Sequence, residues 1–237
     1  MTKNLNDFSF WDHLEELRSR LIKMIVVFCL FSCLVYAFFV DRILFCVTKP
    51  VGKLFFTSPP AAFMARFSLA MWGGFFLTIP FILYQIWQFV ALGLKTHEQK
   101  YVLLFGLSSL GLFICGGVFA FWVMIPVTVR FLLSFQSAYL LPLLTVNDYL
   151  SFVGTFILAC GLAFEVPLAV LFLTKIGLVT PQFLAEKRRH AIIGILIISA
   201  VITPTTDIVT QAVMSVPLFI LYEMSIFASK FVHPREM

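Results

Sequence analysis

Apolar residues in this chain fall into long uninterrupted runs, and polar residues into short clusters between them. Runs long enough to cross a bilayer extend over Leu21–Val40, Phe67–Leu92, Tyr101–Leu133 and Leu150–Leu173. A last apolar region, Ala191–Phe227, is interrupted by Thr203-Pro204-Thr205-Thr206-Asp207, and a polar, proline-bearing break of this kind reads as a hairpin turn between two spans. The pattern predicts an all-α, polytopic membrane protein forming one integral membrane domain over residues 1–237. Its six spans lie near 21–40, 67–92, 101–133, 150–173, 191–202 and 208–227, the last two being short. The fifth has 12 apolar positions. At about 1.5 Å per residue these cover about 18 Å of a hydrocarbon layer about 30 Å thick. Local thinning of the bilayer is expected near spans five and six.

Composition agrees. Of 237 residues, 61% are hydrophobic and 12% charged, which excludes a soluble enzyme, a disordered chain and a nucleic-acid binder despite a net charge of +5. The basic excess reads as topology. Twelve of the 17 Lys and Arg residues fall on the side of the termini and five on the other, which places both ends in the cytoplasm. Residues 1–20 are then a cytoplasmic amphipathic N-terminus and 228–237 a cytoplasmic tail. The early acidic residues Asp7, Asp12, Glu15 and Glu16 do not suit a cleavable signal sequence. The five cysteines lie in or beside apolar runs, and Cys29 and Cys33, four residues apart on one helix, suit packing better than a disulfide. The histidines and cysteines show no zinc-site spacing.

Charges are rare enough to be informative one at a time. Ser9 and Asp12 form a capping-box-like start, after which Phe10, Leu14, Leu17 and Leu21 share a helical face that leads into span one. The other side carries Asp12, Glu16 and Arg20. One reading is a solvated face with a Glu16–Arg20 pair worth a few tenths of a kcal/mol. In the loop between spans two and three, Thr96 and Gln99 fit a second capping box, which leaves Glu98 in a first helical turn, where the helix dipole favours a carboxylate. The other reading takes Glu16 and Glu98 as two carboxylates on a basic face, at an apolar-rimmed surface suited to gripping guanidinium groups.

Glu165, in Phe164-Glu165-Val166-Pro167, sits in the middle of span four. A carboxylate there is either a functional group or a neutral side chain hydrogen-bonded inside the bundle. Glu223 lies near the cytoplasmic end of the last span, within snorkelling reach of the surface. Pro80, Pro126, Pro167 and Pro217 predict kinks or curvature, and Gly73-Gly74 and Gly116-Gly117 close helix approach.

These clusters, in this order, resemble TatC, the receptor subunit family of the twin-arginine protein translocase. The resemblance rests on His13-Leu14-Glu15-Glu16-Leu17-Arg18-Ser19-Arg20 (family signature HLxELRxR), Pro80 through Phe89, and His97-Glu98. It continues through Ser151-Phe152, Phe164 through Pro167, Thr203-Pro204, Asp207 and Gln211, and so covers nearly the whole chain. Two motifs depart from the family's. Ala91-Leu92-Gly93-Leu94 stands for Ala-Pro-Gly-Leu, and His97-Glu98-Gln99-Lys100 for His-Glu-Arg-Arg, with one positive charge fewer.

The resemblance implies a concave, glove-like bundle that binds twin-arginine signal peptides of folded substrates on its cytoplasmic face. Glu16 and Glu98 would contact the arginines, Arg18 would shape the surface, and Phe89 and the extracytoplasmic Pro50 match positions tied to receptor function. TatA and TatB partners would dock along helices five and six, with polar contacts from Thr203 and Gln211, and Glu165 would hold water and lipid headgroups in the cavity. Homo-oligomerisation within the receptor complex is implied, as is a bacterial cytoplasmic (inner) membrane, with a thylakoid membrane as the alternative. No cofactor, metal, catalysis or nucleic-acid partner is expected, and transport energy would come from the proton gradient. A proton-coupled small-solute transporter using Glu165 is the competing class. The lack of an internal repeat and of further midspan charges counts against it.

Overall fold

A computed structural model describes residues 10–49, 51–52, 54–92, 102–136, 143–203 and 207–232. The described chain is helical: α1 (Phe10–Phe38), α2 (Val40–Thr48), α3 (Pro59–Leu92), α4 (Val102–Phe119), α5 (Ile125–Leu133), α6 (Val146–Phe164), α7 (Val166–Lys175), α8 (Pro181–Glu186), α9 (Arg188–Ile202) and α10 (Ile208–Val232). A π-helical turn, Ala120–Met124, joins α4 to α5. Among the described residues the sole β feature is an isolated bridge between Phe55 and Thr145.

Five stretches are long and apolar enough to cross a membrane: Leu14–Phe38, Pro59–Ala91, Leu103–Leu133, Val146–Lys175 and Ile208–Lys230. The fifth expected span, α9, has 15 residues, about 22 Å of helix, and stays short of the hydrocarbon thickness. Its successor is not short. With 25 residues, α10 extends past the expected end at Phe227, because Ser229 and Lys230 continue the helix with no proline or glycine to stop it.

The prolines act in two ways. Pro80 and Pro217 lie inside continuous helices. Pro126 and Pro167 instead stand in the first turn of new helices, where a missing N–H costs nothing. Residue Trp122, four before Pro126, lies within the π-helical turn, which absorbs the clash that proline brings to the preceding turn.

The chain forms two compact units, residues 1–46 with 63–110, and residues 47–62 with 111–237. In the first, α1 meets α3 through Gly73 and Gly74, as their spacing suggests. A Cβ on Gly74 would meet Ser32 Oγ and stand 2.6 Å from the Ser32 Cα, and one on Gly73 would lie 2.9 Å from Val35. The short helix α2 was hidden at the end of the first apolar run. Its residues Val40 and Val47 are buried while Asp41, Arg42, Phe45 and Cys46 are exposed, a one-sided helix laid against the protein.

In the second unit, a Cβ on Gly116 would stand 2.6 Å from the Cys160 carbonyl oxygen, and one on Gly161 would stand 2.5 Å from the Phe113 ring. Helix α10 packs most extensively on α7 and also on α9. Leu184, Tyr222 and Ile226 make a buried cluster there. The segment after α2 is tied down by Phe55 N–H to Leu144 O (3.0 Å), Val146 N–H to Phe55 O (2.9 Å) and the Tyr149 hydroxyl donating to Val47 O (3.0 Å). All five cysteines are free thiols. Only Cys160 fits the packing expectation, with its sulfur 3.6 Å from that of Met214; the other four are exposed, outward-facing apolar side chains.

Candidate functional site

The first polar cluster is not simply a solvated face. Glu16 and Arg20, one turn apart on α1, form an ion pair of 2.7 Å between Glu16 Oε1 and Arg20 Nη2. The Arg20 side chain is only 12% exposed, whereas that of Glu16 is 42% exposed. The second terminal nitrogen, Nη1, donates to Gln85 Oε1 on α3 at 2.7 Å, and Gln85 is itself buried. Arg20 Nε is enclosed with no hydrogen-bond partner among the described residues. The i,i+4 spacing that suggested a surface pair places Arg20 under α3, because small residues along α1 and α3 let the two helices close on each other.

The other expected contacts divide. Arg18 is exposed on α1. Phe89 is half-buried on α3, one turn beyond Gln85, so Glu16, Arg20 and Gln85 come together where the start of α1 meets the end of α3, with Phe89 on the same side of α3 and Arg18 turned to another side of α1. Beside them, α3 and α4 enclose a cleft of about 420 Å³ lined by Tyr84, Trp87, Gln88, Leu103 and Leu107, with Trp87 stacked on Phe105 at 5.3 Å. Glu98 and Pro50, and the expected caps at Ser9 and at Thr96 with Gln99, lie outside the described residues.

Glu165 is half-buried, and it does not sit within an unbroken helix. It closes α6 and opens α7, with its carbonyl accepting from Ala169 N–H at 3.0 Å. Glu165 thus stands where the C-terminal end of α6 meets the N-terminal end of α7, and its side chain does not cap α7. Pro167, which lacks an N–H, creates that helix start.

Thr203 and Gln211 serve the α9–α10 hairpin itself. The buried Thr203 hydroxyl donates to Ser199 O at 2.9 Å, and Gln211 Nε2 donates to Leu196 O at 3.0 Å. Asp207 caps α10 by accepting from Thr210 N–H at 2.7 Å. A shallow groove of about 300 Å³ runs between the two helices, lined by Ile192, Leu196, Val216, Phe219 and Ile220.

Three features escaped sequence reasoning. Gln85 was visible as a polar residue within the Pro80–Phe89 motif, but not as a partner of Arg20. Glu223 does not simply snorkel: Arg188 holds it at two points, Nε to Oε1 at 2.9 Å and Nη2 to Oε2 at 3.0 Å. Asp41 and Arg66 pair at 2.7 Å on an exposed face. Each joins residues far apart in the chain, so no local spacing announces it.

A helical chain with five stretches long and apolar enough to cross a bilayer among its described residues defines a multi-pass membrane protein. The family model described as "Sec-independent protein translocase protein (TatC)" matches residues 12–217, and the chain belongs to that family. It is 38% identical over 232 residues to the Sec-independent protein translocase protein TatC of Carboxydothermus hydrogenoformans, covering 96% of this chain and 95% of that protein. It is also 38% identical over 230 residues to the TatC of Aquifex aeolicus, covering 92% and 93%. A solved structure described as "Crystal Structure of Twin Arginine Translocase Receptor- TatC" superposes with a TM-score of 0.80 at 35% identity, covering 93% of this chain and 99% of that one. The small-solute transporter reading finds no support in these likenesses.

Proposed function

We propose that this chain is the core receptor subunit of a twin-arginine translocase, reading signal peptides that carry consecutive arginines and exporting folded proteins with TatA and TatB partners. The observation that carries the reading is Glu16, a carboxylate left 42% exposed while its internal partner is enclosed, in the polar first turns of a helix whose remainder is apolar. With Glu98 of the loop between spans two and three it supplies two acidic groups for two guanidinium groups. Arg18 shapes the surface electrostatics, Phe89 supplies apolar contact beside it, and Pro50 acts at the opposite face.

The groove between α9 and α10 is the docking surface for the partners' helices. Thr203 and Gln211 hold the shape of the hairpin that carries this groove, and the partly exposed Gln211 also offers polar atoms. Glu165, at the start of α7, holds water and lipid headgroups where the short α9 thins the bilayer. Both units work as one membrane domain in a bacterial cytoplasmic membrane, termini inward, within a receptor complex holding several copies. The chain performs no catalysis, and the proton gradient drives transport.

Crosslinking of a labelled twin-arginine signal peptide to membranes containing the protein tests the reading. Glu16→Lys and Glu98→Lys should each abolish the adduct while the protein still inserts. Undiminished crosslinking in both variants overturns the assignment.

A further inference from the structure

Arg20 is a cation already seated on the carboxylate that a substrate arginine has to reach. Glu16 Oε1 is 2.7 Å from Arg20 Nη2, and Gln85 Oε1 fixes Nη1 of the same guanidinium at 2.7 Å. The ion pair engages Oε1 of Glu16, and the side chain remains 42% exposed. The arrangement is a buried brace, Gln85–Arg20, that ends on one oxygen of an exposed acid and leaves the other outward.

We propose that Arg20 is a positioning residue that makes the Glu16 site select guanidinium over ammonium. The inference rests on the proposed role of Glu16 as an arginine contact. Two physical effects carry it. An adjacent fixed cation cancels part of the carboxylate's net charge, and a lysine ammonium, a compact point charge, depends on net charge for most of its gain. A guanidinium depends more on direction, through planar donors that need an acceptor oxygen held in a defined orientation. Tethering Oε1 orients Oε2 and removes rotamer freedom from a residue that would otherwise sample several states. Arg20 thus weakens the site for any point cation while leaving one oriented acceptor oxygen for the directed N–H groups of a guanidinium.

Burial makes the brace durable. Arg20 is 12% exposed and Gln85 is buried against the same helix pair, so an incoming arginine does not displace Arg20 into solvent. An incoming guanidinium takes the free oxygen and shares the acid. Two guanidinium groups on one carboxylate are tolerable where Gln85 and apolar packing hold the inner one, because planar guanidinium groups are weakly hydrated.

The test is the ratio of two affinities in membranes containing the full chain, with labelled signal peptides identical except that one carries Arg-Arg and the other Lys-Lys. Arg20→Gln should weaken the arginine peptide by about ten-fold, the size of one charge-assisted hydrogen bond, and leave the lysine peptide unchanged or tighter, so that selectivity falls. Gln85→Glu, nearly isosteric, gives Arg20 a competing carboxylate that draws it off Glu16, and should shift the ratio the same way without losing Arg20's charge. Equal weakening of both peptides in both variants, or no change in either, overturns the proposal and leaves Arg20 a packing residue. Glu16→Gln separates the two levels. If that variant binds the arginine peptide as well as the unmodified protein does, the underlying contact at Glu16 is wrong as well. If binding is lost there but selectivity is intact in the brace variants, only the present inference fails.

Discussion

Gly74 on α3 lies so close to Ser32 on α1 that a Cβ added to it would stand 2.6 Å from the Ser32 Cα, backbone that cannot give way. This approach brings Arg20 within hydrogen-bonding reach of Gln85 further along the same two helices. Gly74→Leu should therefore lower stability by about 1–3 kcal/mol, the usual cost of overpacking, and weaken signal-peptide binding in parallel. Gly111→Ala, at a position with open space around its Cα, should do neither. Thermal unfolding in detergent, read beside peptide crosslinking, checks both. An unaltered midpoint for Gly74→Leu would rule out the close approach.

The Tyr222 hydroxyl donates to Leu184 O at 2.8 Å within a buried cluster. Tyr222→Phe keeps the ring and removes the bond, and is expected to cost about 1 kcal/mol. The neighbouring Arg188–Glu223 pair is partly exposed, so exchanging its charges in a double variant should restore most of whatever either single change loses. Protease susceptibility of the α8–α9 region, compared across the singles and the double, reads this out. A double variant no better than the sum of the singles would show that the pair contributes nothing.

At the start of α10, Asp207 accepts from the Thr210 N–H at 2.7 Å. Asp207→Ala should destabilise the hairpin by about 1 kcal/mol, while Asp207→Asn, another good cap, should lose much less. Site-directed labelling of Gln211 reports the change as increased probe mobility. Equal mobility in the two variants would argue against a capping role.

Glu165 separates hydration from titration. If it holds water at the start of α7, Glu165→Gln should export a folded twin-arginine reporter far better than Glu165→Ala. Complete and equal loss in both would point to a proton-carrying carboxylate instead.

Much of this was legible in the linear pattern. Apolar run length located the five membrane-long helices and the shorter helix α9, since hydrocarbon thickness converts directly into residue counts. Gly73-Gly74 and Gly116-Gly117 marked positions where a side chain would block helix contact, and Gly74 and Gly116 meet backbone as expected. The helix at Val40–Thr48 was lost because its apolar face merges with the end of span one. The restart at Glu165 was underread because proline in a membrane helix permits either a kink or a new first turn.

By itself, the order of residues determined which segments are helical and long enough for a membrane, on which face of α1 Glu16 lies, and which family the chain belongs to. Only the tertiary structure decided that Arg20 turns inward to Gln85 while Glu16 stays open, and that Arg188 finds Glu223. The reason is one of range. Hydrophobic burial and helical periodicity act over a few residues and can be read locally. An ion pair between residues 35 apart, or a hydrogen bond between residues 65 apart, exists only once packed helices have chosen which polar atoms lose water together.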